Sequence, residues 1–139
     1  MTRTRSRQDA PLRRVTTRPP SFPEVPPDTP LPGTPGPVWQ VLAGDRDHWR
    51  VGLYSPRHTS AAEVRELETH DCPELFVLLS GRLTLVLGEE AGLRELPLLP
   101  GQPVLVSAPH DGFCPDGPGT GVALVVERDS FDTCYWPAR

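Results

Sequence analysis

Two side chains that can bind metal ions lie four residues apart in the stretch THDCPELFVLLSG, residues 69–81. His70 and Glu74 stand at the start of an apolar run, where a chain usually buries its backbone. His110 lies further along the chain and adds a second imidazole. Two neutral imidazoles and one carboxylate are the donor set of non-haem iron sites, and such donors suit divalent first-row metals in general. The pattern therefore indicates metal-assisted chemistry, with His70, Glu74 and His110 as ligands.

Glu68 stands two residues before His70, and three roles are open to it. It could be a fourth metal ligand, it could orient the imidazole of His70, or it could act as a free general base. We take Glu68 both as a candidate ligand and as the candidate catalytic residue. The alternative without a metal is that His70 and Glu74 hydrogen-bond only to each other and to loop backbone.

The three cysteines offer further candidates. Cys72 lies two residues from His70 and could form a thiolate–imidazole nucleophile, or it could be a small buried thiol. Cys114 follows the second histidine and could supply a sulfur ligand. An odd count without a CxxC motif argues against a disulfide framework and a zinc ribbon, and it indicates reduced thiols in a cytosolic protein.

The elements that must position these residues are short apolar runs separated by turn residues. They lie at residues 38–42, 49–54, 74–80, 82–87, 93–99, 103–107, 121–127 and 131–136. The segment AEVRELETH, residues 62–70, could be one more strand or a short helix that leads into a strand. Eight or nine short strands with close turn signals and almost no helical periodicity predict an all-β sandwich or barrel.

Strand alternation predicts which side chains face the interior. Successive residues of a strand point to opposite faces, so Glu74 shares a face with every second apolar residue after it. Glu68, His70 and Glu74 have the same parity. His110 joins them if the strand at residues 103–107 stays extended beyond its end. Two carboxylates and two imidazoles facing an apolar interior would cost free energy unless something paired them, and a divalent cation would do so.

The first 37 residues differ in composition from the rest of the chain. They hold ten of the 19 prolines, six arginines and three acidic residues, a net charge of +3. Such a segment cannot bury enough apolar surface to offset the entropy of ordering. We therefore predict a disordered Arg/Pro-rich tail over residues 1–37 and a folded domain over residues 38–139. The arginines are scattered without interleaved aromatic residues, which favours a solvated tail over a site for an anionic partner.

The predicted domain is acidic, with eight arginines and fifteen acidic residues and a net charge of −7. Phosphate contacts need a basic face, so the domain is not predicted to bind nucleic acid, whereas a metal cation or a cationic or sugar-like ligand suits it. The chain has no lysine, which excludes a lysine Schiff base. It has neither a secretory signal nor an apolar run of the about 20 residues that span a membrane, so a cytoplasmic location is predicted.

The spacing around His70 resembles the first motif of the cupin superfamily. That motif runs His-x-His, three or four residues, Glu, six residues and Gly. In this chain Glu68, His70, Glu74 and Gly81 stand at the four marked positions, so a glutamate replaces the usual first histidine.

The stretch PGQPVLVSAPHDGF, residues 100–113, resembles the second cupin motif. That motif runs from a Pro-Gly turn along a strand to a Pro-x-Gly turn and then a histidine. Here Ser-Ala-Pro, residues 107–109, stands at the Pro-x-Gly position, and His110 lies two residues before the family histidine, whose place Gly112 takes.

The resemblance implies a cupin-like double-stranded β-helix, or jelly-roll barrel. Cupins are often dimeric and often hold iron, manganese, zinc or nickel, and they include dioxygenases, isomerases, lyases and metal-free binding or sensing domains. We therefore predict a homodimer that holds a divalent metal ion through His70, Glu74, His110 and Glu68 and acts on a small polar organic molecule. The alternatives are a cupin that binds or senses a small ligand without catalysis, and an adaptor that works through its Arg-rich tail.

Overall fold

The computed structural model describes residues 10–139, which form β-strands joined by turns. The strands are β1 (Arg13–Thr17), β2 (Trp39–Asp45), β3 (Trp49–Tyr54), β4 (Glu66–His70), β5 (Glu74–Ser80), β6 (Thr84–Glu89), β7 (Gly92–Pro97), β8 (Val104–Val106), β9 (His110–Phe113), β10 (Val122–Arg128) and β11 (Phe131–Pro137). A single-turn 3-10 helix at Ala61–Glu63 leads into β4, so the segment 62–70 contains both structures that its sequence allowed. Within residues 10–139, no helix is long and apolar enough to cross a membrane. The all-β prediction is confirmed.

The strands form two antiparallel sheets. One has the order β1-β11-β4-β9-β6-β7 and the other has the order β2-β3-β10-β5-β8. Because β4 and β6 belong to the first sheet and β5 belongs to the second, the chain crosses between the sheets twice over this stretch. Apolar side chains from both sheets pack against one another in a shared core: Phe76, Leu78, Leu83, Leu85, Leu87, Val106, Ala123 and Val125. The interior between the sheets is therefore apolar at this level, and its burial stabilises the fold.

Strand alternation decides what the second sheet presents to that interior. In β5, Phe76 and Leu78 are buried, whereas Leu75 and Val77 are only half-buried. Glu74 lies on the same inward face, at the first position of the strand, and is 4% exposed. One face of β5 thus carries a carboxylate above two apolar residues, as its sequence predicted.

The N-terminal boundary of the fold differs from the prediction. The strand β1 lies inside the segment predicted as a tail, and it pairs with β11 from Arg13↔Tyr135 to Thr17↔Phe131. Further along, the backbone N–H of Ser21 donates to Asp129 Oδ1 at 2.7 Å. The prediction of disorder is corrected for these residues, because β11 offers an open strand edge and RRVTT supplies the β-branched residues that pair well there. Residues 1–9 of the predicted tail lie outside the described residues.

The position of His110 also differs from the extrapolation along residues 103–107. The strand β8 ends at Val106, and His110 begins a separate strand, β9, in the other sheet. A proline at residue 109 cannot donate to a strand ladder, so pairing is interrupted before it and resumes after it. His110 consequently approaches the interior from β9, next to β4, rather than from β8 next to β5.

Candidate metal site

Three strands bring four metal-capable residues together at one end of the interior. Glu68 and His70 lie on β4, Glu74 begins β5 and His110 begins β9. In the pairing of β4 with β9, Glu68 is directly opposite His110. One ligand atom from each of the four residues lies within 4.8 Å of every other. The predicted residues therefore converge, although 42 positions of sequence separate the first from the last.

Glu74 is the centre of this cluster. Its Oε1 lies 2.9 Å from His70 Nε2 and 2.9 Å from His110 Nε2. The Oε1 of Glu68 lies further out, 3.6 Å from His70 Nε2 and 3.8 Å from His110 Nε2. The Glu68 side chain is 38% exposed, whereas those of the other three are each 6% exposed. Glu68 is thus the member of the cluster that solvent reaches.

The second nitrogen of each imidazole is held by a group outside the cluster. His110 Nδ1 lies 2.9 Å from the carbonyl oxygen of Ala108, which can only accept, so this nitrogen carries a proton. His70 Nδ1 lies 2.8 Å from Thr133 Oγ1 on β11. These contacts turn both Nε2 atoms toward Glu74. A hydrogen bond from the remote ring nitrogen is what fixes the orientation of a metal-binding histidine.

The donor atoms fit a cation better than they fit one another. Glu74 Oε1 is buried and has no regular hydrogen-bond partner among the described residues, although an imidazole Nε2 lies 2.9 Å away on each side. A divalent cation would satisfy this oxygen together with the two imidazoles and Glu68, and nitrogen and oxygen donors of these types suit first-row metals.

The charges within the cluster are strongly coupled. Burial lowers the pKa of His70, but Glu68 and Glu74 outweigh burial and raise that pKa from 6.5 to about 10. Burial lowers the pKa of His110, but Glu74, the Ala108 carbonyl and Glu68 together outweigh burial and raise that pKa. Burial pushes the pKa of Glu74 upward, yet the two imidazoles hold it well below its usual range. Protons on the imidazoles therefore compensate Glu74 when no metal is bound, and a metal must compete with those protons.

Glu127 is a functional candidate that the sequence reasoning missed. It lies on β10, and its Oε2 is 3.9 Å from His70 Nε2. Its Oε1 accepts from Arg50, at 2.9 Å from Nε and 2.8 Å from Nη2. Burial raises the pKa of Glu127 to about 7, the negative charge of Glu74 adds to this, and Arg50 opposes it. The signal was present in the run GVALVVE, in which Glu127 has the parity of two buried apolar residues.

A cavity of about 460 Å³ opens beside the cluster. Apolar and aromatic side chains form much of its wall, and β1 contributes Val15 and Thr17 to it. The cysteines do not line it. Cys114 is buried elsewhere, where its sulfur accepts from the backbone N–H of Gly121 at 3.3 Å, and Cys72 is buried in the turn between β4 and β5. The sulfur-ligand and thiolate-nucleophile alternatives therefore have no geometric support.

No family model matches this chain, and no curated protein matches it.

Comparison of folds does find similar structures. A cobalt(II) form of HppE in complex with substrate aligns with a TM-score of 0.54 and 16% identity, over 65% of this chain and 51% of that chain. Hydroxypropylphosphonic acid epoxidase (HppE) from S. wedmorenis aligns with a TM-score of 0.51 and 13% identity, over 86% of this chain and 62% of that chain. A cupin-2 domain protein from Shewanella frigidimarina aligns with a TM-score of 0.49 and 16% identity, over 65% of this chain and 78% of that chain.

The chain spans between 51% and 62% of the length of these two HppE chains. At such identities the similarity concerns the fold, and HppE itself has the cupin fold. The two-sheet architecture and the alignment with the two HppE structures lead to one conclusion: this chain has the fold of the cupin superfamily.

Proposed function

We propose that this protein is a metal-dependent cupin enzyme that binds one divalent first-row cation and acts on a small polar organic molecule beside it. His70, Glu74 and His110 hold the cation, and Glu68 completes the set from the solvent side. The observation that carries the proposal is the buried Oε1 of Glu74, which has two imidazole nitrogens at 2.9 Å and no regular hydrogen-bond partner in the described part of the chain.

The buried and the exposed residues of the cluster have different roles. A bound cation supplies Lewis-acid or redox chemistry to a substrate oxygen or nitrogen. The three buried residues fix the cation, and the walls of the cavity orient the organic molecule and exclude water. Glu68 reaches both solvent and the cluster, so it is the residue placed to move a proton between them.

The metal proposal has support from HppE, whose structures hold cobalt(II) or iron(II). The hydroxypropylphosphonic acid of that enzyme's name is not carried over to this chain. A phosphonate needs free cationic donors, whereas Arg50, the arginine that lines this cavity in the described structure, is already paired with Glu127. The reaction proposed here therefore acts on a different class of molecule.

Binding or sensing of a small ligand without catalysis is the second candidate. It is favoured by the raised pKa of His70, because a charged imidazole can pair with Glu68 and Glu74 in a cluster that holds no metal. Such a protein would use the same cavity, and its ligand would contact the protonated cluster.

Elemental analysis separates the two candidates. The protein is purified without chelator or affinity metal and is then incubated anaerobically with Fe(II), Mn(II), Zn(II) or Ni(II) in turn. The enzyme proposal expects close to one equivalent of one metal per chain. Occupancy at background level, about a tenth of an equivalent or less after every reconstitution, would contradict it and favour the second candidate.

The homodimer and the cytoplasmic location stay predictions. Sedimentation of the purified protein measures the first, and localisation of a tagged chain in cells measures the second. The adaptor alternative loses part of its basis, because Arg13, one of the tail arginines, is engaged with Glu66 through two contacts of 3.0 and 2.8 Å.

A further inference from the structure

One oxygen of Glu127 has no hydrogen-bond partner within residues 10–139, and His70 Nε2 lies 3.9 Å from it. Arg50 holds the Oε1 of Glu127, while its Oε2 is buried without a hydrogen-bond partner. The residue is 5% exposed and lines the cavity. It is not one of the four residues of the metal cluster. A carboxylate oxygen fixed in this way is an acceptor placed for a donor that enters the cavity.

The net charge of the cavity indicates whether the ligand that carries this donor is a cation or an anion. Among the described residues, five carboxylates line it: Glu66, Glu68, Glu74, Asp111 and Glu127. Arg13 pairs with Glu66 and Arg50 pairs with Glu127, which leaves three. A divalent cation at the metal site would offset two of these. The cavity therefore keeps a negative charge with its metal in place, and an anionic ligand would be repelled.

The walls of the cavity are unusually aromatic. Five of the nine aromatic residues in the chain line it: Trp39, Tyr54, Phe76, Phe131 and Tyr135. A cation already uses two of these rings, since the guanidinium of Arg50 lies 4.9 Å from the centre of Phe131 and 5.8 Å from that of Trp39. Aromatic faces attract cations and also cover apolar groups, so these walls suit a molecule that has both.

We propose that the organic molecule bound in this cavity is a small amine, which donates from its ammonium group to Glu127 Oε2 and lays an apolar part against the aromatic walls. The proposal rests on the proposed function for the cavity that it shares. Glu127 and the aromatic walls recognise the amine without the metal, so selection of the amine extends to the metal-free protein.

Two probes of nearly equal size test this selection. The first is 2-amino-1-phenylethanol, a cation at neutral pH, and the second is mandelate, which keeps the phenyl and hydroxyl groups but replaces the ammonium arm with a carboxylate. Calorimetry measures the binding of each to the full-length protein, before and after metal loading. The amine is expected to bind at least about tenfold more tightly, the lower range for a charge-assisted hydrogen bond.

The substitution Glu127→Gln keeps the size of the side chain and removes its charge. It should reduce the preference for the amine to within about threefold while leaving metal occupancy unchanged. Glu95→Gln, the same change at an exposed position on β7 outside this cavity, should keep the full preference. If Glu127→Gln does not fold, the ratio of the two affinities measured on the wild-type protein tests the amine proposal by itself.

The outcomes are distinguishable from those of the metal test. Equal or tighter binding of mandelate, no heat from either probe at millimolar concentrations, or a folded Glu127→Gln variant that keeps the preference would each overturn the amine proposal. Low metal occupancy together with a clear preference for the amine would instead contradict the metal-dependent enzyme and leave the amine site standing.

Discussion

Two buried carboxylates face the same cavity from neighbouring strands of one sheet, yet they are in opposite states. Glu74 on β5 is 4% exposed and Glu127 on β10 is 5% exposed, so burial pushes the pKa of both upward. Two imidazoles close to Glu74 hold its pKa well below the usual range. One arginine bonds to one oxygen of Glu127, whose pKa is raised to about 7.

The difference teaches that the number and position of cationic partners, not depth, decide what a buried carboxylate does. Glu74 lies between two imidazoles, and either protons on those imidazoles or a bound metal ion must compensate its charge. It is therefore the central ligand of the metal site. Glu127 is held by Arg50 at one oxygen and has no hydrogen-bond partner among the described residues at the other, so that second oxygen can accept from a ligand. The negative charge of Glu74 itself contributes to the raised pKa of Glu127, and the two roles are therefore coupled.

Removal of Arg50 should have the largest effect on stability, because Glu127 then loses the cation that distinguishes it from Glu74. Arg50→Met keeps the length of the side chain but leaves Glu127 buried without its partner, and loss of one member of a buried ion pair costs about 3–5 kcal/mol. Urea unfolding of the metal-free protein measures this. The double variant Arg50→Met with Glu127→Met should recover most of the loss. A single variant as stable as the wild type would show that the pair does not hold Glu127 in place.

Substitution at Glu74 or His70 should abolish metal binding and leave the ion pair between Arg50 and Glu127 in place. Glu74→Gln and His70→Ala should each weaken metal binding by more than about 100-fold, the upper range for loss of an outer partner, because each removes a direct ligand. Competition with a chelator of known affinity measures this. Glu95→Gln and His48→Ala, at exposed positions, are the matched controls. Unchanged affinity in folded Glu74→Gln protein would end the metal-site interpretation.

Metal binding should offset the pH dependence of stability that the metal-free protein shows. In the metal-free protein the pKa of His70 is raised from 6.5 to about 10, so its stabilising charge is fully present below pH 6.5 and is lost as pH rises toward 10. The raised pKa of Glu127 acts in the same direction between pH 4.5 and about 7. The unfolding free energy of the metal-free protein should therefore fall with rising pH across both windows.

Metal binding needs deprotonated imidazoles, so the gain from the metal should grow with pH over the His70 range. At a hundredfold excess over its dissociation constant, the metal adds about 2.7 kcal/mol. Chemical unfolding at several pH values, with and without metal, measures both trends. A metal-free stability that rises between pH 6.5 and 10 would mean that His70 is not held in its charged form by Glu68 and Glu74.

Glu68→Gln should give the smallest effect on metal affinity, about tenfold or less, because this side chain is more than a third exposed and its oxygen lies 3.6 Å or more from both imidazoles. If Glu68 moves a proton during the reaction, turnover should fall much more than affinity. Equal losses in affinity and turnover would make Glu68 only a ligand, and an affinity loss as large as that of Glu74→Gln would remove the distinction between the two glutamates.

Much of the architecture follows from local patterns in the sequence. Alternation within a strand is local, so it could predict that Glu74 and the buried residues after it share one face, and that Glu68 and His70 on β4 share another. The cupin fold itself was visible in the spacing of the motif from Glu68 to Gly81. Composition was less reliable, because proline density averaged over 37 residues concealed the five-residue strand β1.

What the sequence by itself determined is therefore the class of fold, the strand faces and the kinds of side chain available to the site. Only the tertiary structure decided that β1 closes onto β11, that His110 starts a strand opposite Glu68, and that Glu127 reaches the same cavity with Arg50 behind it. The physical reason is that these are pairings between distant segments. Strand register and sheet order depend on the packing of the whole core, and a period of two residues carries no information about which strand becomes a neighbour.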